Sequence, residues 1–319
     1  MSNPALTQRI EELPTLLEGL SHTDDIADHL IRVDALKAQV GELKPFDGVE
    51  QMALDDYAKE WLTRYVYNSN AIEGSTLTIE DTSLILEGEF VPSDSPARFV
   101  FAARGVADGM AYVRKYVEQG TALDIDVIRH VHEVTALDLQ PFARGTFRPY
   151  GYTARITRTR VKTADPLEIN DDIRLLLDGL KESSAHPLLK AAGFHAMFEN
   201  IHPFMDGNGR TGRQLLNYML IEHGYEPIAI KHDAGRSYGA QLEAWQVDGD
   251  ARPFCCLVLD CVGQEEKSAL DIVRPIRQGA PEIQGNHSDF LDKINDKAKE
   301  LRETGKNAPA SDIRGRLLR

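Results

Sequence analysis

Apolar residues recur at helical spacing along most of this chain, and that periodicity restricts it to a mainly α-helical architecture. Leu6, Ile10, Leu13, Leu16 and Leu17 share one helix face, and Ile26, Leu30, Val33 and Leu36 share another. The spacing predicts further helices over 52–72, 79–86, 167–180, 187–200 and 210–222. Gly41 to Gly48, with Pro45 between them, reads as a break. Gly74 suits the position just past the 52–72 helix, where the backbone turns left-handed. Thr78 followed by Asp81 is a capping-box pattern for the next helix. Residues 148–161 depart from the rule: β-branched and aromatic side chains predict a short β-hairpin there. Beyond Gln264 apolar density falls, and 287–319 reads as a charged tail with one helix near 290–301.

The 319 residues carry 36 basic and 50 acidic side chains, a net charge of −14. An acidic surface argues against the chain as a whole coating nucleic acid or an anionic membrane. The three cysteines, Cys255, Cys256 and Cys261, sit among Phe254, Leu257, Val258 and Leu259. Their number and spacing fit neither a disulfide framework nor a zinc site, so they read as buried helix positions in a reduced, cytoplasmic setting. The first residues lack a secretory pattern, and no apolar run reaches membrane-spanning length.

The chemistry concentrates in His202-Pro203-Phe204-Met205-Asp206-Gly207-Asn208-Gly209-Arg210-Thr211-Gly212-Arg213. Glycines flanking Asn208 let successive N–H groups point at one spot, and a helix pattern follows at once, which together make an anion site. Arg210 and Arg213 lie in the first turn, where cations are unfavourable unless an anion neutralises them. The pattern therefore points to a polyphosphate. Asp206 makes sense as a ligand for Mg²⁺ bridging phosphates, and His202 can accept a proton near neutral pH. Singly, each feature has a plainer reading as a cap, a solvated arginine or a turn; their density in one segment favours the functional one.

Gly207 to Gly212 also matches the dinucleotide pattern G-x-G-x-x-G, which would make the chain an NAD-binding oxidoreductase. That pattern requires a preceding strand and βαβ alternation, and 187–200 reads as helix.

The segment His202 to Arg213 resembles the Fic family signature H-P-F-x-[D/E]-G-N-G-R-x-x-R at every fixed position. Gly145-Thr146-Phe147-Arg148 is similar to the family's element before its flap, and Gly249-Asp250-Ala251-Arg252-Pro253-Phe254 to its G-D-x-x-P-F segment. The resemblance implies a Fic-type helical bundle with a short β-hairpin flap. It divides the chain into an N-terminal helical region (1–67), a catalytic domain with its inhibitory helix (68–263) and a charged helical tail (264–319). It implies a protein adenylyltransferase that moves AMP from ATP to a Ser, Thr or Tyr hydroxyl of a target protein. By that resemblance His202 is the base, Asp206 holds Mg²⁺, and Phe204, Gly207, Asn208, Gly209, Arg210 and Arg213 form the nucleotide site, with Arg213 on the γ-phosphate. Tyr238 and Gln246 are candidates for the adenine pocket. The flap residues Arg155, Ile156, Thr157, Arg158 and Thr159 would hold the target by strand pairing.

Ser69-Asn70-Ala71-Ile72-Glu73-Gly74 fits the family's inhibitory pattern [S/T]-x-x-x-E-[G/N]. An acidic residue at a helix C-terminus opposes the dipole and calls for a cation. Arg213 is the fitting partner, through a bidentate contact that would deny it to the γ-phosphate. Removal of AMP, transfer of another phospho group, and a non-catalytic interaction protein on the same fold stand as alternatives. Self-modification and a homodimer are left open.

Overall fold

The ends of the helix over Gly48–Ile72 and the start of the one over Ile79–Glu87 fall where orphaned backbone groups find partners. The computed structural model describes residues 2–88, 95–157, 159–232 and 235–278, with backbone alone for 235–237. Helix α3 (Gly48–Ile72) opens on a capping box between Asp47 and Glu50. It closes with Gly74 at φ +87°, the Gly74 N–H donating to the Ala71 carbonyl and the Ser75 N–H to the Asn70 carbonyl. That pair of bonds satisfies two terminal carbonyls and requires a left-handed residue, hence glycine. The expected capping box of Thr78 and Asp81 is present at the head of α4 (Ile79–Glu87).

Around these lie α1 (Pro4–Ser21), α2 (Asp24–Glu42), α5 (Ala97–Glu118), α6 (Ile125–Thr135), α7 (Ile169–Glu182), α8 (Pro187–Ile201), α9 (Asn208–Glu222), α10 (Gly235–Glu243) and α11 (Arg252–Arg277). A π-helical turn, Ala244–Asp248, follows α10. Helices α8 and α9 are buried on almost every side, as expected of a central pair. Helix α1 packs on α7 and α8, and α2 on α11, so both belong to the same hydrophobic core. Helices α3 and α11 run unbroken across residues 67–68 and 263–264. Within α11, Cys255 is buried, while Cys256 and Cys261 are only half-buried.

The fold is helical as expected, but the hairpin is not formed among the described residues. Residues 152–156 and 159–165 carry no strand ladder, and the nearest β contact is an isolated antiparallel bridge between Phe147 and Phe204. The reason is that donors are taken by side chains. The Arg160 N–H donates to Glu243 Oε1 and the Val161 N–H to Thr159 Oγ1. Arg158 and the tail helix expected near 290–301 lie outside the described residues. Among the described residues, no helix is long and apolar enough to cross a membrane.

Helix α6 reaches its place through two glycines on α5. A Cβ at Gly105 would collide with the Thr135 backbone carbonyl, and one at Gly109 with the Thr135 hydroxyl. Because the obstacle at Gly105 is backbone, Gly105→Ala is expected to destabilise the fold by roughly 1–3 kcal/mol, as overpacked cores do. Urea denaturation of the two proteins checks this.

Candidate active site

The signature segment is the loop joining the two central helices. Helix α8 ends at His202, which adopts φ 53° and ψ 60° and is the only non-glycine residue at positive φ among the described residues. A histidine there stores backbone strain, and such strain collects at functional sites. Pro203 follows and prevents the helix from continuing. Arg148 compensates the helix end. It is buried, and its guanidinium donates to the carbonyls of His202 (2.8 Å), Ile201 (3.3 Å), Tyr152 (3.2 Å) and Ala164. A cation at a helix C-terminus also suits the dipole.

His202 is largely enclosed, and burial above all lowers its pKa below the ordinary histidine value. Its Nδ1 lies 3.3 Å from the Glu199 carbonyl oxygen. The ring is therefore neutral at physiological pH, the form that accepts a proton.

Beyond His202 the loop is tied to itself. The Asn208 side chain pairs with the backbone of Phe204, accepting from its N–H at 2.8 Å and donating to its carbonyl at 3.0 Å. Asp206 Oδ1 accepts the Gly207 N–H at 2.6 Å. Gly207 then turns left-handed at φ +76°, and α9 starts without a side-chain cap. Asp206 is exposed, and Oδ1 bonds to the next backbone N–H. No group of three metal-ligating side chains occurs among the described residues. A lone exposed carboxylate still fits Mg²⁺, which keeps most of its waters and is completed by substrate phosphates.

Arg210 in the first turn of α9 and Arg213 in the second are neutralised by the chain's own carboxylates. Arg210 donates to Asp138 at 2.6 Å. Arg213, 3% exposed in its side chain, donates to Glu73 Oε1 at 2.8 Å, to the Ser69 hydroxyl at 3.0 Å and to the Ser69 carbonyl at 2.8 Å. The expected pair of Glu73 with Arg213 is thus present, but through a single Nη2–Oε1 bond rather than a bidentate contact, with Nε and the other Nη2 hydrogen going to Ser69. Glu73 Oε1 also sits where a Cβ of Gly209 would stand. A carboxylate oxygen therefore occupies the mouth of the α9 N-terminus, where an anion belongs.

The other candidates are more scattered. Tyr238 is buried, with its hydroxyl 2.8 Å from His195 Nε2, and Gln246 is buried, donating to the Ala196 carbonyl at 2.7 Å. Both polar groups are thus tied to α8. Arg155 and Thr157 are exposed, and Ile156 and Thr159 half-buried. Their loop reaches the signature segment through the Tyr152 hydroxyl, which donates to the Met205 carbonyl at 3.3 Å.

Sequence reasoning missed four groups here: His132, Asp138, Arg148 as a helix cap, and Glu199. His132 was detectable as a polar residue on the apolar stripe Ile128, Val131, Thr135 of α6. It stacks under Phe204 with ring centroids 3.6 Å apart. Burial holds its pKa down to about 4, although its bond to the Asp206 carbonyl works the other way.

Glu199 is buried, and its Oε1 has no hydrogen-bond partner. Burial, opposed by Arg213 and reinforced by Glu73, pushes its pKa up to about 8. An unfolded glutamate ionises near 4.5, so between about pH 4.5 and 8 the folded state holds a proton that the unfolded state releases. Stability from this group is full below that window and is lost as pH rises through it. Glu199→Gln cannot ionise, so its melting temperature relative to the wild-type protein is expected to rise from pH 5 to pH 8. Thermal melts at the two pH values measure this difference.

Residues 122–220 match the family model described as the Fic/DOC family. "Protein adenylyltransferase Fic" of Drosophila grimshawi is 30% identical over 217 residues, covering 66% of this chain and 43% of that protein. The protein of the same name from Nematostella vectensis is 30% identical over 207 residues, covering 64% and 47%. The chain thus spans about half the length of these relatives, or somewhat less. Among solved structures, Fic-1 (residues 134–508) of C. elegans superposes with a TM-score of 0.66 at 25% identity, covering 77% of this chain and 71% of that one. A Fic-domain protein of Bacteroides thetaiotaomicron shares the fold with a TM-score of 0.67 at 22% identity, covering 78% and 99%.

Proposed function

We propose that this chain, which carries a Fic/DOC-family domain at residues 122–220, is a protein adenylyltransferase restrained by its own Glu73. The observation that carries the reading is the pairing of a neutral, strained His202 with a glycine-rich helix start whose buried Arg213 is held by a carboxylate. The names of the relatives support a protein as acceptor and ATP as donor.

In the proposed reaction His202 takes the proton from a Ser, Thr or Tyr hydroxyl of the target. That oxygen bonds to the α-phosphorus of ATP, and the bond to the bridging oxygen breaks, releasing pyrophosphate. The backbone of 207–209 and the two arginines bind and orient the phosphates, a transfer that needs positioning and charge neutralisation more than covalent work by the protein. Asn208, with its side chain spent on Phe204, holds the loop in shape and contributes its backbone. Asp206 would hold Mg²⁺, which when bound supplies positive charge to the phosphate oxygens. The flap segment around 155–159 would receive the target segment.

Glu73 acts in this reading by occupation. With its oxygen against Gly209 and on Arg213, the γ-phosphate meets a like charge, and a misplaced nucleotide loses roughly 10²-fold in rate. Loss of Glu73 still leaves Arg213 with both Ser69 oxygens, so the fold survives it.

Glu73→Gly is expected to raise AMP incorporation severalfold or more over wild type, read by mass spectrometry of the protein itself and of added lysate proteins with ATP and Mg²⁺. No gain over wild type would sink the inhibitory reading, and no AMP adduct in either would sink the transferase. Adding His202→Ala to that variant is expected to abolish transfer while nucleotide binding persists.

The lowered His202 pKa has a signed consequence. The neutral ring persists below the ordinary histidine range, so the acid limb of the Glu73→Gly rate profile is expected below pH 6.5. An acid limb above pH 7 would argue against His202 as the base.

A further inference from the structure

The catalytic loop is held from behind by a histidine on a different helix. His132 of α6 sits beneath the loop with its ring stacked on Phe204, the planes 7° apart. Its Nδ1 accepts the Gly145 N–H at 2.9 Å, and its Nε2 lies 2.9 Å from the Asp206 carbonyl oxygen. Those two bonds define one tautomer. Nδ1 is the acceptor, so the single ring proton is on Nε2 and is donated to Asp206. The same Nε2 lies 3.2 Å from where a Cβ of Gly207 would stand, so the ring also walls the left-handed turn.

We propose that His132 is a positioning residue that sets the Asp206 carboxylate for Mg²⁺ through the hydrogen bond to its backbone carbonyl. The inference rests on the transferase reading and on Asp206 as its metal ligand. Three constraints act on one peptide unit. The bond from Nε2 holds the Asp206 carbonyl, the ring wall holds Gly207, and the stack holds Phe204, whose backbone is paired with Asn208. The Asp206 side chain is exposed and bonded only to the next N–H, so its own direction follows from the backbone that carries it. The bond from Gly145 fixes the ring itself. It belongs to the segment leading into the flap, so one imidazole registers the flap base against the metal end of the loop. Asp138, in the turn after α6, holds Arg210 in the same way. Helix α6 thus orients both the acidic and the basic side of the phosphate site without touching the reacting atoms. Outer partners of this kind are worth on the order of 10–100-fold in metal affinity or activity.

The test uses the full chain carrying Glu73→Gly as parent, with binding of a non-hydrolysable ATP analogue measured by calorimetry in Mg²⁺ and in EDTA. The parent is expected to bind more tightly with Mg²⁺. His132→Phe keeps the ring stack and loses both hydrogen bonds. It is expected to forfeit most of the Mg²⁺ increment, on the order of 10-fold, while affinity in EDTA stays the same. His132→Gln keeps a donor for the Asp206 carbonyl and is expected to retain the increment. If His132→Phe does not fold, His132→Asn decides, since it can accept from Gly145 but does not reach Asp206, and it should lose the increment that His132→Gln keeps. An increment preserved in His132→Phe or His132→Asn overturns the inference, as does equal loss of affinity in EDTA, which is the signature of a merely structural residue. A parent with no increment at all overturns the metal role of Asp206 and this inference together. A parent that shows the increment and transfers no AMP overturns the transferase reading alone.

Discussion

Everything at this site follows from having to join two helices that are buried on nearly all sides through one short loop. Helix α8 must end inside the protein, where its last carbonyls have no water, and α9 must begin there with open N–H groups. The first problem is met by Arg148, which arrives from the segment before the flap and takes the carbonyls of Ile201 and His202. The second is met by a negative charge, the Glu73 carboxylate at Gly209. The turn has a cation on one side and an anion-seeking helix start on the other. In the proposed reaction it is also the machinery.

That economy explains why the site is supported from so many elements. Helix α3 supplies Ser69 and Glu73 to Arg213, α6 supplies His132 and the turn after it Asp138, and α8 supplies Glu199 beneath Gly212. The contacts from Ser69, Glu73, His132 and Asp138 satisfy polar groups that burial would otherwise leave costly, whereas Glu199 Oε1 stays unpartnered. Ser69 matters particularly, because its two oxygens keep Arg213 in place whether or not Glu73 is there.

The flap illustrates a different balance. Its β-branched residues were read as strand formers, but a strand needs free backbone donors on both arms. Here Glu243 and Thr159 claim those of Arg160 and Val161, and Arg160 is pinned further by Asp248. Propensity lost to specific hydrogen bonds, as it does when tertiary partners are available. What remains is a loop without regular structure in which Arg155 and Thr157 are exposed and the Ile156 carbonyl accepts from both the Thr159 N–H and its hydroxyl.

The sequence by itself determined the local matters. The helices, the capping box at Thr78, the left-handed Gly74 and the anion-binding character of His202 to Arg213 are set by residues within a turn or two of one another. The pairing of Glu73 with Arg213 was legible through the resemblance of 69–74 to the family's inhibitory pattern; the acid at a helix C-terminus called only for some cation. Only the tertiary structure decided what lies far away in the chain. Nothing near residue 202 announces that Arg148 caps α8, that His132 holds Asp206, or that Asp138 takes Arg210. Tyr238 and Gln246 likewise turned out to be bonded to α8. The physical reason is that burial and hydrogen bonding are satisfied by whichever group packing brings within 3 Å or so, and chain order says little about which group that is.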